Sequence, residues 1–187
     1  MRFSRFEIKE IVKAWLAISL IFGIAITGIS RNLLIALPLT FLTAGIGFLF
    51  HELAHKYLAQ KFRCWAEFRA NNQALIIGLL ISFTGMVLVA PGGVFIRGAN
   101  KYQHGKIAFV GPMMNVFLAL VFLGLAKLNL HQLLSLTADY GFRINSLLGI
   151  FNLIPFPPFD GYSIWSWNKL MYVIGVIAAA GVMLLQF

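Results

Sequence analysis

Long apolar runs separated by short polar connections make up almost the whole chain. Several of these runs approach the roughly 20 residues that a helix needs to cross the hydrocarbon core of a bilayer. The pattern predicts one integral membrane domain over 1–187, an all-α polytopic fold with five to six transmembrane helices. The six apolar segments cover about residues 11–29, 33–62, 74–90, 107–128, 140–154 and 164–187.

Composition supports the membrane setting. The chain is 60% hydrophobic and only 11% charged, whereas soluble domains carry about 25% charged residues. The net charge of +9 comes from Lys and Arg in the short connections, as the positive-inside rule expects. The sequence has no basic helix and no stripe of aromatic and basic residues of the kind that binds nucleic acid. We therefore expect the lipid bilayer, and no nucleic acid, as a partner.

The second apolar segment carries His51-Glu52-Leu53-Ala54-His55 near its C-terminal end. Two imidazoles four residues apart lie on one face of a helix, close enough to share one zinc ion. The carboxylate of Glu52 lies beside them and can take a proton from an attacking water. The alternative is a histidine pair used only for packing. An acid between the two histidines in a membrane helix argues against that alternative, because such groups are expensive in lipid.

Zinc needs a third protein ligand. Of the six acidic residues, only Glu52 and Asp160 adjoin apolar runs in a place suited to chemistry. Asp160 follows Pro155, Pro157 and Pro158, which interrupt the fifth segment. Irregular backbone at membrane depth is tolerated where it is buried in protein or lines a cavity, so this break can present Asp160 to a metal. By itself the break is also compatible with an ordinary helix end at the membrane interface.

The third segment, 74–90, decides on which membrane face Asp160 lies. If this segment crosses the bilayer, Asp160 ends opposite the histidines, and if it re-enters on one side, Asp160 lies beside them. The re-entrant arrangement collects 12 of the 15 Lys and Arg residues on the N-terminal side, and the crossing arrangement collects 10. The positive-inside rule thus favours five spans with a re-entrant element, a cytosolic N-terminus and an external C-terminus. Six spans with both termini inside is the alternative.

The depth of the histidines follows from helix geometry. From His55 to Lys61 a helix rises about 9 Å. We therefore expect a multi-pass protein of the cell membrane whose site lies nearer the cytosolic face, within reach of bulk water.

Three motifs in this order resemble the site-2 protease family of intramembrane zinc metalloproteases. They are the His51–His55 motif, Gly111-Pro112-Met113-Met114-Asn115, and the stretch from Asn152 to Gly161. The resemblance covers a catalytic core of about 33–165, with flanking helices at 11–29 and 164–187. The stretch 90–96 is similar to the archaeal and bacterial branch without appended domains. Tyr162 stands where the family often has a second glycine.

The resemblance implies a role for each matching residue. His51, His55 and Asp160 would bind one zinc ion per chain, and Glu52 would be the catalytic base. Asn152 would hold the substrate backbone or the oxyanion. Asn115 would lie near the active site, where it packs or contacts substrate, and a hydrogen bond between helices is the equal alternative. Val94 and Phe95 are the further candidate substrate contacts.

The family also has a re-entrant β-sheet after the helix that carries the two histidines. The stretches 65–71 and 93–97 are the candidates for it. The edge of such a sheet would hold an unwound substrate extended by main-chain pairing.

The implied function is an intramembrane zinc endopeptidase that hydrolyses peptide bonds within or near transmembrane segments of membrane proteins, as in regulated intramembrane proteolysis. A non-proteolytic zinc-binding scaffold and a zinc transporter are the alternatives. The intact Glu52 argues against the scaffold. A transporter needs polar groups through both faces, whereas here they collect near one. His104 and His131 are expected to be solvated surface histidines, and the oligomeric state is left open.

Overall fold

The computed structural model describes residues 1–87, 91–128 and 131–185. Within these ranges the fold is helical apart from one two-stranded sheet. In chain order the elements are α1 Arg5–Thr27, α2 Leu33–Thr40, a π-helical turn Phe41–Gly45, α3 Ile46–Lys61, β1 Trp65–Ala70, α4 Asn72–Ser82, β2 Gly92–Arg97, α5 Lys101–Ala126, α6 Gln132–Phe151, α7 Asp160–Trp167 and α8 Lys169–Leu184.

Three helical stretches among the described residues are long and apolar enough to cross a membrane. They are α1, the continuous stretch Leu33–Lys61 and α5, with 23, 29 and 26 residues. Large apolar side chains such as Leu34, Ile35 and Phe117 point away from the protein on these helices. Lipid tails cover such side chains as well as a protein core does, so the chain has the build of a membrane protein.

Hydropathy predicts that the first helix begins at about residue 11, but in the structure it begins at Arg5. The hydroxyl of Ser4 accepts a hydrogen bond from the backbone N–H of Glu7 at 3.0 Å and caps the helix. The helix ends at Gly28, whose φ of 63° lies in the left-handed region that glycine tolerates. The predicted flanking helix 11–29 is therefore Arg5–Thr27, because capping adds a polar first turn that an apolar window omits.

The helix that carries the histidines packs closely on α1. Pro38 and the π-helical turn interrupt its regular hydrogen bonds, and the Thr40 hydroxyl donates across to the Ser19 carbonyl at 2.7 Å. A Cβ on Gly45 would lie 2.6 Å from the Ser19 hydroxyl. This close approach holds the stretch that leads into α3 against α1.

The short sheet predicted after the histidine helix is confirmed. Strands β1 and β2 pair antiparallel, with Ala70 opposite Gly92. The last residue of β1 is therefore paired with the first residue of β2, so the segment between them begins and ends at the same end of the sheet. Between these points α4 has 11 residues, a rise of about 16 Å, which is well short of the roughly 30 Å hydrocarbon core. The last part of the predicted segment 74–90, residues 88–90, lies outside the described residues.

The C-terminal flanking helix, predicted over 164–187, is divided in the structure. Asn168 is extended, with φ −154° and ψ 108°, and separates α7 from α8. Its side-chain oxygen accepts from the backbone N–H of Met171 at 3.1 Å and caps α8. The sequence predicts one continuous segment across Asn168, because a single polar residue changes the average hydropathy of an apolar window very little. The end of the prediction, 186–187, lies outside the described residues.

Two buried apolar clusters enclose the centre of the fold. One joins α5 to α6, α7 and α8, and includes Val116, Phe142 and Ile164. The other joins α1 to α3, β1 and α6, and includes Ile18 and Phe48. The facing sides of α3 and α5 lie between the two clusters, and this is where the chemistry-bearing side chains meet.

We expect Gly92→Ala to weaken the sheet. Gly92 has a φ of +133°, and a Cβ there would lie 2.7 Å from Cα of Ala70, against the partner strand. A strained backbone of this kind costs about 1–3 kcal/mol. The melting temperature in detergent should fall, and the amides of β1 should exchange faster. Gly93→Ala is the matched control, since a Cβ there meets nothing within 4 Å. Equal effects of the two substitutions would contradict this account.

Candidate metal centre

Helix α3 brings His51 and His55 together on one face, with their Nε2 atoms 2.9 Å apart. Asp160, the first residue of α7, turns its Oδ2 toward both, at 3.1 Å from His51 Nε2 and 3.2 Å from His55 Nε2. One ligand atom from each of the three residues lies within 4.8 Å of the others. The structure thus brings together the three residues that the sequence predicts as ligands, although Asp160 lies far along the chain.

The protonation of each imidazole is determined by the partner of its Nδ1. His55 Nδ1 lies 2.7 Å from the carbonyl oxygen of Ile107, which can only accept, so Nδ1 carries the hydrogen. His51 Nδ1 lies 2.7 Å from Oδ1 of Asn115, whose Nδ2 donates to the Gly47 carbonyl at 3.1 Å. In the neutral imidazoles both Nε2 atoms therefore present lone pairs to each other.

The donor set fits a zinc ion. Two imidazole nitrogens and a carboxylate oxygen, all electron-rich, converge on one point, and a cation between them turns their repulsion into attraction. Two histidines and one carboxylate, with a fourth position left open, are the ligands of a common class of catalytic zinc site. The hydrogen bonds at each Nδ1 are the outer contacts that orient metal-binding histidines.

A glycine allows α5 to pass directly against the two rings. A Cβ on Gly111 would lie 2.8 Å from Cε1 of His51 and would also overlap Nε2 of His55. The next residue, Pro112, is fully buried. The Gly-Pro pair, read from sequence only as part of a resemblance, therefore gives the histidines their room.

Asn115 belongs to a buried chain of side-chain amides. Its Nδ2 donates to Oδ1 of Asn145 at 3.2 Å, and Nδ2 of Asn145 donates to the Gly141 carbonyl at 2.9 Å. Both asparagines are fully buried. Sequence reasoning missed Asn145, although an isolated carboxamide within an apolar helix is the signal that would have found it.

Glu52 is buried beside the two histidines. Within the described residues its Oε2 has no hydrogen-bond partner. A buried carboxylate oxygen without a partner is costly to keep. Such an oxygen is typical of a group that acts on a ligand in the adjoining space.

A cavity of about 260 Å³ opens onto these groups and is lined by the ligand residues, β2, the start of α5 and the break before α7. Asn152 lines it, with Nδ2 donating to the Leu148 carbonyl at 2.9 Å. His104, expected only as a surface histidine, is exposed and also lines the cavity. Ser163 is a further lining residue without a sequence signal.

The two strand residues predicted to contact substrate occupy different places. Val94 lines the cavity. Phe95 is 57% exposed, does not line the cavity, and lies under the guanidinium of Arg69 at 5.8 Å. Its backbone is opposite Glu67 of β1.

These features define a class of protein: a helical protein with the build of a membrane protein and a group of two histidines and one carboxylate that could hold a metal ion. A protein of Methanocaldococcus jannaschii named "Putative zinc metalloprotease MJ0611" is 37% identical over 187 residues, which cover 98% of this chain and 95% of that protein. One of Bacillus subtilis named "Putative zinc metalloprotease YwhC" is 30% identical over 151 residues, 68% of each chain. The chain belongs to the zinc metalloprotease family that these relatives represent. No family model matches, and no solved structure matches.

We expect Gly111→Ala to lower zinc affinity. The added methyl group would push the rings of His51 and His55 off their shared point, and metal sites depend on ligand position within tenths of an ångström. Zinc content after dialysis against graded chelator measures the effect. The control is Gly124→Ala on the same helix, where a Cβ meets nothing within 4 Å. Unchanged zinc retention in Gly111→Ala would contradict the packing described here.

Removal of the amide behind His51 should also weaken zinc binding. Asn115→Ala leaves Nδ1 of His51 without its acceptor, and loss of such an outer contact costs about 10–100-fold in metal affinity. Competition with a chromogenic chelator gives the affinity. The exposed Asn32→Ala is the control. An affinity equal to that of the native chain would mean that the amide does not orient the ring.

Proposed function

We propose that this protein is an intramembrane zinc endopeptidase of the site-2 protease type. It cleaves peptide bonds within or near transmembrane segments of single-span membrane proteins, as in regulated intramembrane proteolysis. The observation that carries the proposal is the position of Glu52, buried beside His51 and His55 inside a helical stretch long enough to cross a bilayer. A soluble protease would carry these groups in a helix with a polar outer face.

Each residue of the site has a chemical task in this proposal. His51, His55 and Asp160 would hold one zinc ion, which would supply a Lewis acid for the attacking water and the scissile carbonyl. Glu52 accepts the proton of the attacking water at its unpartnered Oε2 and returns it to the leaving amine. Asn152, on the cavity wall, donates to the developing oxyanion or holds the substrate backbone.

The substrate is held as an added strand on the cavity side of β2. In an antiparallel pair, alternate residues turn their backbone groups to opposite edges. Phe68 directs its N–H away from β2, so its partner Val94 also directs its backbone groups outward, to the cavity side. Val94 and Ile96 then offer main-chain pairing to an extended peptide, whereas the Phe95 backbone is committed to β1.

The contacts of Asn115 favour the alternative of a hydrogen bond between helices over a substrate contact. Its amide atoms already bond His51, Gly47 and Asn145. We assign it the positioning of His51.

Several observations support five spans over six. Three of the five spans are the long apolar helices. In this proposal α6 is the fourth span and the α7–α8 pair is the fifth. The short α4, with Ala70 opposite Gly92, supports a re-entrant third segment. The proximity of Asp160 to the histidines is what this topology requires. The distribution of Lys and Arg supports a cytosolic N-terminus and a site nearer the cytosolic face of the cell membrane.

Glu52→Gln tests the catalytic proposal. The substitution keeps the shape of the side chain but removes the proton acceptor, which is worth about 10²–10⁴-fold in rate. We expect cleavage of a model single-span substrate, reconstituted in lipid, to fall by this factor while zinc content stays the same. Asp139→Asn, at an exposed acid outside the cavity, should cleave as the native chain does.

The same assay separates the alternatives. If the native chain binds zinc and cleaves none of a broad set of membrane substrates, the scaffold and transporter hypotheses replace the protease. If Glu52→Gln cleaves at the native rate, hydrolysis uses another base.

A further inference from the structure

The outer edge of the sheet, the side of β1 that faces away from β2, is occupied by charged side chains. The backbone N–H of Phe68 donates to Oε1 of Glu7 at 2.9 Å. The carbonyl of Ala66 accepts from Nζ of Lys56 at 2.8 Å. A strand edge normally leaves these groups free to pair with another strand.

A third side chain continues this pattern. The N–H of Ala70 donates to Oε2 of Glu10 at 3.2 Å, and Lys13 pairs with the other oxygen of Glu10 at 2.6 Å. Residues 66, 68 and 70 alternate along β1, so their backbone groups point to the same edge. Side chains of α1 and α3 thus occupy the positions that a third strand would take.

Two of these side chains form a buried ion pair. Glu7 and Lys56 are each 1% exposed, and Nζ lies 2.7 Å from Oε1 and 2.8 Å from Oε2. A buried pair is tolerated only where further hydrogen bonds satisfy both ions. Here the backbone of β1 supplies those bonds to both partners. The pair therefore joins α1, α3 and β1 at one point.

This junction lies next to the metal site in the chain. Lys56 directly follows the ligand His55 in α3. On the other side of the sheet, Val94 and Ile96 of β2 line the metal cavity together with Glu52. The position of the ion pair therefore determines how the free edge of β2 stands relative to the ligand helix.

We propose that Glu7 and Lys56, assisted by Glu10, form a clamp that positions the sheet for substrate. The clamp has two effects: it denies the outer edge of β1 to an incoming peptide, and it holds the cavity-side edge of β2 in register with the metal. These are positioning residues, which act through the sheet and do not touch the substrate. The role in substrate binding rests on the proposed protease function, whereas the mechanical link between the pair and the sheet does not.

The test uses the full zinc-loaded chain in lipid nanodiscs with four variants. Glu7→Gln leaves the Lys56 ammonium buried without its counter-ion. Lys56→Met leaves the Glu7 carboxylate buried without its counter-ion. The double variant removes both charges while Gln at position 7 still accepts the Phe68 N–H. Lys61→Met, an exposed lysine at the end of the same helix, is the matched control.

Four quantities are measured for every variant: amide hydrogen exchange in β1, zinc content, and the KM and kcat for a membrane substrate. Each single variant should raise exchange at Phe68 and Ala70 about tenfold or more and raise KM by a similar factor, because an uncompensated buried ion is strongly unfavourable. Zinc content should be unchanged and kcat should change much less than KM. The double variant should recover most of both losses, the non-additivity expected of a pair, and Lys61→Met should behave as the native chain.

Two results would overturn the clamp. One is native-like exchange and KM in both single variants. The other is loss of zinc in step with the rise in KM, which would mean that the pair supports the ligand helix and not the sheet. If the native chain cleaves no substrate, the proposed function fails, and exchange together with zinc content still decides whether the pair positions the sheet.

Discussion

Two imidazole nitrogens and one carboxylate oxygen face each other across about 3 Å, and a metal ion or a proton between them relieves their repulsion. The surrounding structure is arranged to hold them there. The carbonyl of Ile107 and the amide of Asn115 keep hydrogen off the facing nitrogens. A glycine at 111 lets α5 approach the rings. Ligand geometry of this kind is stored in the packing of three helices, because no single helix can supply it.

The break before α7 brings the third ligand into position. The Gly161 N–H donates to the Asn152 carbonyl at 2.8 Å, and a Cβ on Gly161 would lie 2.5 Å from the Ile154 carbonyl. The chain thus folds back tightly on itself just after Asp160. Irregular backbone is tolerated at such depth because it lines the polar cavity and its groups are satisfied there. The same rule applies at the sheet, where charged side chains of α1 and α3 satisfy the edge of β1.

Much of this could be predicted from the sequence. The apolar runs located the long helices, the spacing of His51 and His55 predicted a shared face, and Asp160 was the one remaining acid in a suitable place. Boundaries were less predictable. The start of α1 depends on the Ser4 cap, and the division at Asn168 depends on a single extended residue. Neither residue changes the mean hydropathy of the apolar run beside it enough to move a predicted boundary. Asn145 was missed because its partner Asn115 lies on another helix. His104 was missed because the cavity that it lines is formed by several elements of the fold.

The sequence by itself determined the membrane character, the helical class and the identity of the chemical groups, because composition and short-range spacing act within one element. Only the tertiary structure decided which groups meet. The return of the chain at Gly92, the amide chain behind His51, and the pairing of Glu7 with Lys56 join residues far apart along the chain. Such contacts depend on how helices pack and how buried polar groups find partners, and no local pattern in the sequence records either.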